Sequence, residues 1–181
     1  DVRVTYADVC EYWLKYPNIK EVTDFVTIHI LPYWEDDTMN IEKAIAHLAE
    51  KRTEVEHELK TSDILIGETG WPSEGRMRED ALPSKTNQAI FVREFVKLAE
   101  EKNWNYNIIE AFDQPWKRVS EGAVGGYWGL FDKDRLDKNV FAGDVSDFPN
   151  YKYLGLGSLL LVFVFSFLLK NSTISKKKLV L

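Results

Sequence analysis

An α/β fold built on a parallel sheet is predicted for most of the 181 residues. Three observations carry it. Short runs rich in β-branched and apolar residues recur, each is followed by a stretch with apolar positions three and four apart, and those stretches are as long as helices. A helix-length connection crosses over and brings the chain back in the same direction, so the strands pair in parallel and are covered on both faces. Two architectures satisfy this, a doubly wound sheet or part of a (β/α)8 barrel. Both collect functional groups at the carboxyl ends of the strands.

The elements run in order. Residues 2–6, VRVTY, read as a strand and 9–16 as a helix. Residues 24–30, DFVTIHI, form the next strand. A turn-like PYWEDD then leads into a helix whose buried face is Ile41, Ala44, Ile45, Leu48, Ala49, Val55 and Leu59, with Asp36 and Asp37 suited to its positive N-terminal end. Residues 63–67 give a third strand, followed by a Gly/Pro/Ser loop and a helix over 84–102 buried through Ala89, Val92, Phe95, Val96 and Ala99. Residues 106–112, YNIIEAF, make the fourth strand.

A second regime begins after residue 149. Residues 153–169 hold no charge, a length at the short end of what crosses a hydrocarbon core about 30 Å thick. The competing reading is a buried apolar helix. Tyr151 and Tyr153 mark one edge, while Lys170 and Lys176 to Lys178 follow the other, the arrangement of an interfacial aromatic and positive-inside residues. The expected organisation is a folded body over 1–149, a transmembrane helix over 150–170 contacting the lipid bilayer through 153–169, and a basic cytoplasmic tail over 171–181. The body is then periplasmic or extracellular.

Charge and composition exclude several classes. The net charge is −6, yet five Lys and no acid follow residue 150, so the first 150 residues carry −11. So acidic a body argues against nucleic acid as a partner. Cys10 is the one cysteine, which rules out an internal disulfide and a multi-cysteine metal site. No P-loop occurs, no Gly-x-Gly-x-x-Gly follows a strand, and His57-Glu58 lacks the second His of a zincin, so neither a metal nor a cofactor is expected. His29 is read as a cleft-lining hydrogen-bonder. The chain starts with Asp and enters a strand at once, as a fragment lacking its N-terminal part would.

The stretch IGETGWPS puts Glu68 at the mouth of the third strand. A strand-end Glu is usually a structural carboxylate that caps a turn or pairs with a base. Here Gly67 and Gly70 permit close backbone approach, Pro72 fixes the loop, and Trp71 offers an aromatic face suited to the CH side of a pyranose.

GETGWPS resembles the signature of glycoside hydrolase family 17, the β-1,3-glucanase family, in which the Glu after barrel strand seven is the catalytic nucleophile. EAFDQPWK at 110–117 is similar to the family's strand-eight segment. EGAVGGYWGLF at 121–131 is similar to its closing element. VTYADV at 4–9 resembles the fifth-strand region of bacterial members, and HILPYW at 29–34 the end of strand six. The resemblance spans about residues 2–132 and implies the C-terminal half, strands five to eight, of a (β/α)8 barrel from a bacterial, membrane-anchored member.

That resemblance implies that the intact protein is a retaining β-1,3-glucan hydrolase or glucanosyltransferase taking a β-glucan as substrate, with Glu68 as nucleophile. The family's acid/base Glu, after an Asn at the end of strand four, falls before residue 1, so the chain alone is expected to be inactive. By the same resemblance, Tyr33 either donates its hydroxyl to Glu68 or only stacks. Trp71, Phe112 and Trp116 are subsite walls or core. Asp113 and Glu121 bind sugar hydroxyls, and Lys117 pairs with Glu121. The alternative is a non-catalytic, membrane-anchored glucan-binding module.

Overall fold

The structure, a computed structural model, describes residues 1–171. It divides into two units, Asp1–Asp147 and a second beginning at Phe148.

In the first unit, β1 (Thr5–Val9), β2 (Phe25–His29), β3 (Ile64–Thr69) and β4 (Asn105–Ile108) form one sheet in the order β1-β2-β3-β4, every pair parallel. Each crossover is helical: α1 (Cys10–Lys15) with a 3₁₀ segment Pro17–Val22, then α2 (Ile41–Leu59), then α3 (Lys85–Lys102). Sequential neighbours joined by helices form an open parallel sheet with the right order for a strand-helix repeat. Within this sheet β1 and β4 each have a partner on one side only.

The helices pack on one face of the sheet. Val26, Ile28, Ile64 and Ile66 point that way and share a core with Trp13 of α1, Leu48 of α2, and Phe91 and Phe95 of α3. Tyr6 meets Trp13 at 5.7 Å and Tyr106 meets Phe95 at 5.0 Å, which sets the same face for both outer strands. The other face carries Ala7, Val9, Phe25, Leu65, Asn105 and Asn107, all partly or fully exposed.

Helix boundaries follow from caps. Asn40 accepts from the Lys43 N–H at 3.2 Å and opens α2, and Lys60 closes it in the left-handed conformation. Asp36 and Asp37 therefore precede the first turn rather than charging it. Ser84 accepts from the Asn87 N–H at 3.0 Å and opens α3, and Asn103 closes it. Arg52, buried on the inner side of α2, reaches Glu56 at 2.5 Å and lies 4.6 Å over the Trp104 ring.

The third strand runs on to Thr69, past the expected end at residue 67, and two other strands differ more. The first strand starts at Thr5 because sheet pairing starts with Thr5 opposite Phe25, while Val2 and Val4 stay exposed. The fourth ends at Ile108 because the chain then pairs elsewhere. Glu110 N–H donates to the Trp128 carbonyl at 3.1 Å and Phe131 N–H to the Ala111 carbonyl at 2.9 Å, tying 110–113 to the 128–131 segment. Residues beyond that return are strapped onto α3 by Arg93, which donates to the carbonyls of Asn139, Val140 and Gly143 at 2.7 to 3.0 Å.

The second unit contains α4 (Tyr151–Asn171). Over Tyr151–Leu169 its mean hydropathy is 2.0 and its side chains are exposed, so it is one helix long and apolar enough to cross a membrane. The basic tail expected over 171–181 lies, beyond Asn171, outside the described residues.

Candidate active site

Simple alternation along β3 would put Ile64, Ile66 and Glu68 on one face, with the carboxylate buried against the helices. The structure does otherwise. Ile28 pairs with Ile66, but the next residue, His29, pairs with Glu68, so Gly67 is the extra residue of a bulge. On the other side of the strand, Ile66 pairs with Tyr106 and Thr69 with Ile108, the same one-residue slip. Glu68 thus moves to the open face and Thr69 takes its place in the helix-side layer, fully buried.

Gly67 is required for this. A Cβ there would meet the Thr27 methyl at 2.5 Å. Gly70 is required for the next step of the chain, since a Cβ there would meet the Ile109 carbonyl at 2.6 Å, where the Thr69 carbonyl accepts from Ile109 N–H at 2.8 Å. The GETG stretch is therefore a bulge followed by a close crossing onto β4.

Glu68 is open. Its side chain keeps 43% of its surface, and Oε2 lies 3.5 Å from His29 Nδ1. His29 is held on the same face by the strand pairing that aligns it with Glu68. The two carboxylates next after β4, Glu110 and Asp113, are committed. Glu110 accepts from Lys117 Nζ at 2.6 Å and from the Gln114 amide, leaving its buried Oε1 unpartnered. Asp113 pairs with Lys138 at 2.7 Å, the two side chains 7% and 8% exposed. Lys138 also reaches the Ser73 hydroxyl at 2.9 Å and the Gly129 carbonyl at 2.8 Å, so it joins the loop after β3 to the loop after β4. Burial pulls its ammonium below the ordinary lysine value, against the opposing pull of Asp113. Near the end of β1, the Tyr6 hydroxyl and then the Val9 N–H hold Asp8 below the ordinary carboxylate value.

Several sequence expectations are corrected. Tyr33 donates its hydroxyl to the Arg76 carbonyl at 2.6 Å, not to Glu68, and its buried ring sits edge-on to Trp34, Trp71 and Trp128. Trp71, 1% exposed, is a core plug whose indole N–H donates to the Leu82 carbonyl at 3.0 Å. Lys117 pairs with Glu110 instead of Glu121: Glu110 is the half-buried carboxylate within its reach, while Glu121, at the end of the one-turn helix Arg118–Glu121, is exposed. Asp113 is occupied by Lys138 and by Gly129 N–H at 2.9 Å, so it braces the loops and offers sugars little. Phe112 and Trp116 remain exposed on the loop after β4, Trp116 at 68%, as surfaces a sugar could stack on. Lys138 carried no sequence signal. Trp34 stood inside the HILPYW stretch without being singled out, and it stacks on Trp128 at 6.4 Å.

The arrangement presents one ionisable, accessible carboxylate aimed out of the carboxyl end of a parallel strand beside an imidazole. Residues 1–129 match the family model of the BtgE/BtgC glycoside hydrolase domain. The chain belongs to this glycoside hydrolase family. Among relatives of the domain, a glucan 1,3-beta-glucosidase of Saccharomyces cerevisiae is 34% identical over 119 residues, 61% of this chain and 37% of that protein. A glycoside hydrolase family 17 beta-1,3-glucanosyltransferase from Rhizomucor miehei superposes with a TM-score of 0.69 at 26% identity, covering 79% of this chain and 52% of that one. An active-site mutant of the same enzyme, solved with laminaritriose, gives 0.69 at 25% identity. The chain thus spans roughly a third to a half of these proteins, and its α/β fold with a parallel sheet resembles part of a family 17 barrel.

Proposed function

We propose that the protein carrying this chain is a retaining enzyme of β-1,3-glucan, hydrolase or glucanosyltransferase, with Glu68 as its nucleophile. The observation that supports this most is the Gly67 bulge, which turns the one strand-borne carboxylate of β3 out of the packed layer and into the open beside His29. Chain position adds to it: Glu68 stands at the carboxyl end of a parallel strand, where such barrels carry their chemistry. The substrate class is taken from the domain's relatives, one named a glucan 1,3-beta-glucosidase and one bound to laminaritriose.

The chemistry runs in two displacements. An ionised Glu68 oxygen bonds to the anomeric carbon as the glycosidic C–O bond breaks, and a carboxylic acid about 5–5.5 Å away protonates the departing oxygen. The same group, now a carboxylate, then takes a proton from water or from a sugar hydroxyl, whose oxygen displaces Glu68 from that carbon. Water gives hydrolysis and a sugar gives transfer. We place that acid/base outside these 181 residues, with the chain as strands five to eight, and the piece by itself inactive. Helix α4 anchors the protein in the bilayer with the barrel outside and the basic tail inside.

Incubating the intact protein with laminaripentaose tests this. Products shorter or longer than five sugars are expected, and Glu68→Gln abolishes them; full product formation by Glu68→Gln overturns the assignment. Products longer than the substrate mark transfer, and shorter ones alone mark hydrolysis.

A further inference from the structure

The loops that follow β2 and β3 are tied to each other in both directions. From the β3 loop, Arg78 Nη1 donates to the Tyr33 carbonyl at 3.1 Å and to the Glu35 carbonyl at 2.6 Å. From the β2 loop, Tyr33 donates its hydroxyl to the Arg76 carbonyl at 2.6 Å, and the Thr38 hydroxyl donates to Glu79 Oε2 at 3.1 Å. Resting on the glucan-directed reading above, we infer that Arg78 is a positioning residue for the Glu68 reaction: it locks the segment around Trp34 against the loop into which the strand of Glu68 leads.

Trp34 is the residue between the two carbonyls that Arg78 holds, so its backbone is gripped on both sides. Its ring, 40% exposed, lines one cavity with His29, whose Nδ1 lies 3.5 Å from Glu68 Oε2. Apolar burial does not fix this segment. Residues 34–40 form neither helix nor strand, and none of them is buried. Such a stretch keeps one conformation through its hydrogen bonds, and losing them loosens it locally while the core stays folded. Glu35 is also tied to His47 of α2, which links the segment to a helix. Arg78 links it to the loop after Glu68.

The donor is itself held in place. Arg78 N–H donates to the Ala81 carbonyl at 3.1 Å and Ala81 N–H donates back at 2.9 Å, with Ala81 fully buried. An arginine set on so tight a turn gives up little further freedom in making its two bonds. Both bonds leave from one nitrogen, so the ammonium of a lysine, with three donors, can replace them.

A positioning role and a merely structural one differ in kinetics. Loosening an aromatic that touches the sugar in ground state and transition state alike raises KM, whereas loss of folded protein lowers kcat at unchanged KM. The test measures both constants on laminaripentaose for the intact protein. Arg78→Met, which removes the donors and keeps an aliphatic stem, is expected to raise KM on the order of tenfold with kcat within about twofold. Arg78→Lys is expected to recover most of that change. Tyr33→Phe, which removes only the bond to Arg76, should shift KM the same way by less, and it supplies the result where Arg78→Met does not fold. Unchanged KM in these variants, a kcat loss at unchanged KM, or no recovery in Arg78→Lys overturns the inference. Amide exchange read by mass spectrometry needs no substrate: exchange in residues 33–38 should be about tenfold faster in Arg78→Met, with Ile64–Thr69 unchanged. Should the wild-type protein leave laminaripentaose intact, the glucan reading fails on its own. Exchange then decides whether Arg78 holds Trp34, and equal exchange overturns it.

Discussion

Replacing Gly67 by alanine should disable the intact enzyme without unfolding it. The new Cβ would stand 2.5 Å from the Thr27 methyl and 3.1 Å from both Cδ2 and Nε2 of His29. Ordinary carbon contacts are about 3.5–4.0 Å, so roughly 1 Å of separation must be found. Thr27 cannot supply it, being buried and donating its hydroxyl to Thr5 at 3.0 Å, while Thr5 in turn donates to the Phe25 carbonyl at 2.8 Å. The strand must give instead, and the residue carried with it is Glu68. Overpacking of this kind costs about 1–3 kcal/mol of stability. A displacement near 1 Å at a reacting group costs about 100-fold in rate. The assay is kcat on laminaripentaose alongside a urea unfolding curve. Thr27→Ser removes the clashing methyl and keeps the hydroxyl, so adding it to Gly67→Ala should restore most of the rate. Wild-type kcat in Gly67→Ala, or no recovery in the double variant, would refute the bulge as the device that aims Glu68.

Other expectations separate structural from ligand-facing residues. Trp71→Ala should cost about 3–5 kcal/mol in urea unfolding, whereas Trp71→Phe, which loses the bond to Leu82, should cost nearer about 1 kcal/mol with an unchanged KM. Removing either partner of the buried Asp113–Lys138 pair, by Asp113→Ala or Lys138→Ala, should cost about 3–5 kcal/mol, and the double variant should cost less than the sum. Cys10 is buried, and desolvation pushes its thiol up to about 12. Native protein at pH 8 should therefore resist thiol reagents that label the urea-unfolded chain at once. Because the folded value is raised, the protonated thiol contributes stability that is fully present below the ordinary value near about 8.5 and is lost as pH climbs toward 12, so unfolding midpoints should fall across that window.

Much of the framework was legible from local pattern. The β-branched run ending at His29, the apolar ILI before Gly67, and the three- and four-residue spacing of α2 and α3 each gave an element within a few residues of its place, because burial on one face leaves a periodic trace. The long crossovers were enough to make the pairing parallel, and the α/β class follows from that. Glu68 was singled out through its motif, while alternation alone would have buried it, and the structure leaves it open. Gly67 was the visible sign of the bulge, and its meaning depends on Thr27, a residue of the neighbouring strand.

The misplacements have a common cause. Tyr33 and Trp71 are aromatics near the cleft in sequence, yet what decides between wall and core is a carbonyl elsewhere in the chain, Arg76 for one and Leu82 for the other. Lys117 and Glu121 have the spacing of a helical pair and are joined by the one-turn helix Arg118–Glu121, yet the Lys117 ammonium turns back to Glu110, a partner that this spacing does not point to. Lys138 joins Ser73, Asp113 and Gly129 from up to 65 residues away, a convergence that no local spacing announces.

The most direct test of Glu68 as nucleophile is to trap it. An activated 2-deoxy-2-fluoro laminari-oligosaccharide lets the first displacement proceed and slows the second, and peptide mapping by mass spectrometry then locates the sugar. One glycosyl adduct on the peptide holding Glu68, absent in Glu68→Gln, is the expected result. An adduct on a different carboxylate in an otherwise active protein would contradict it.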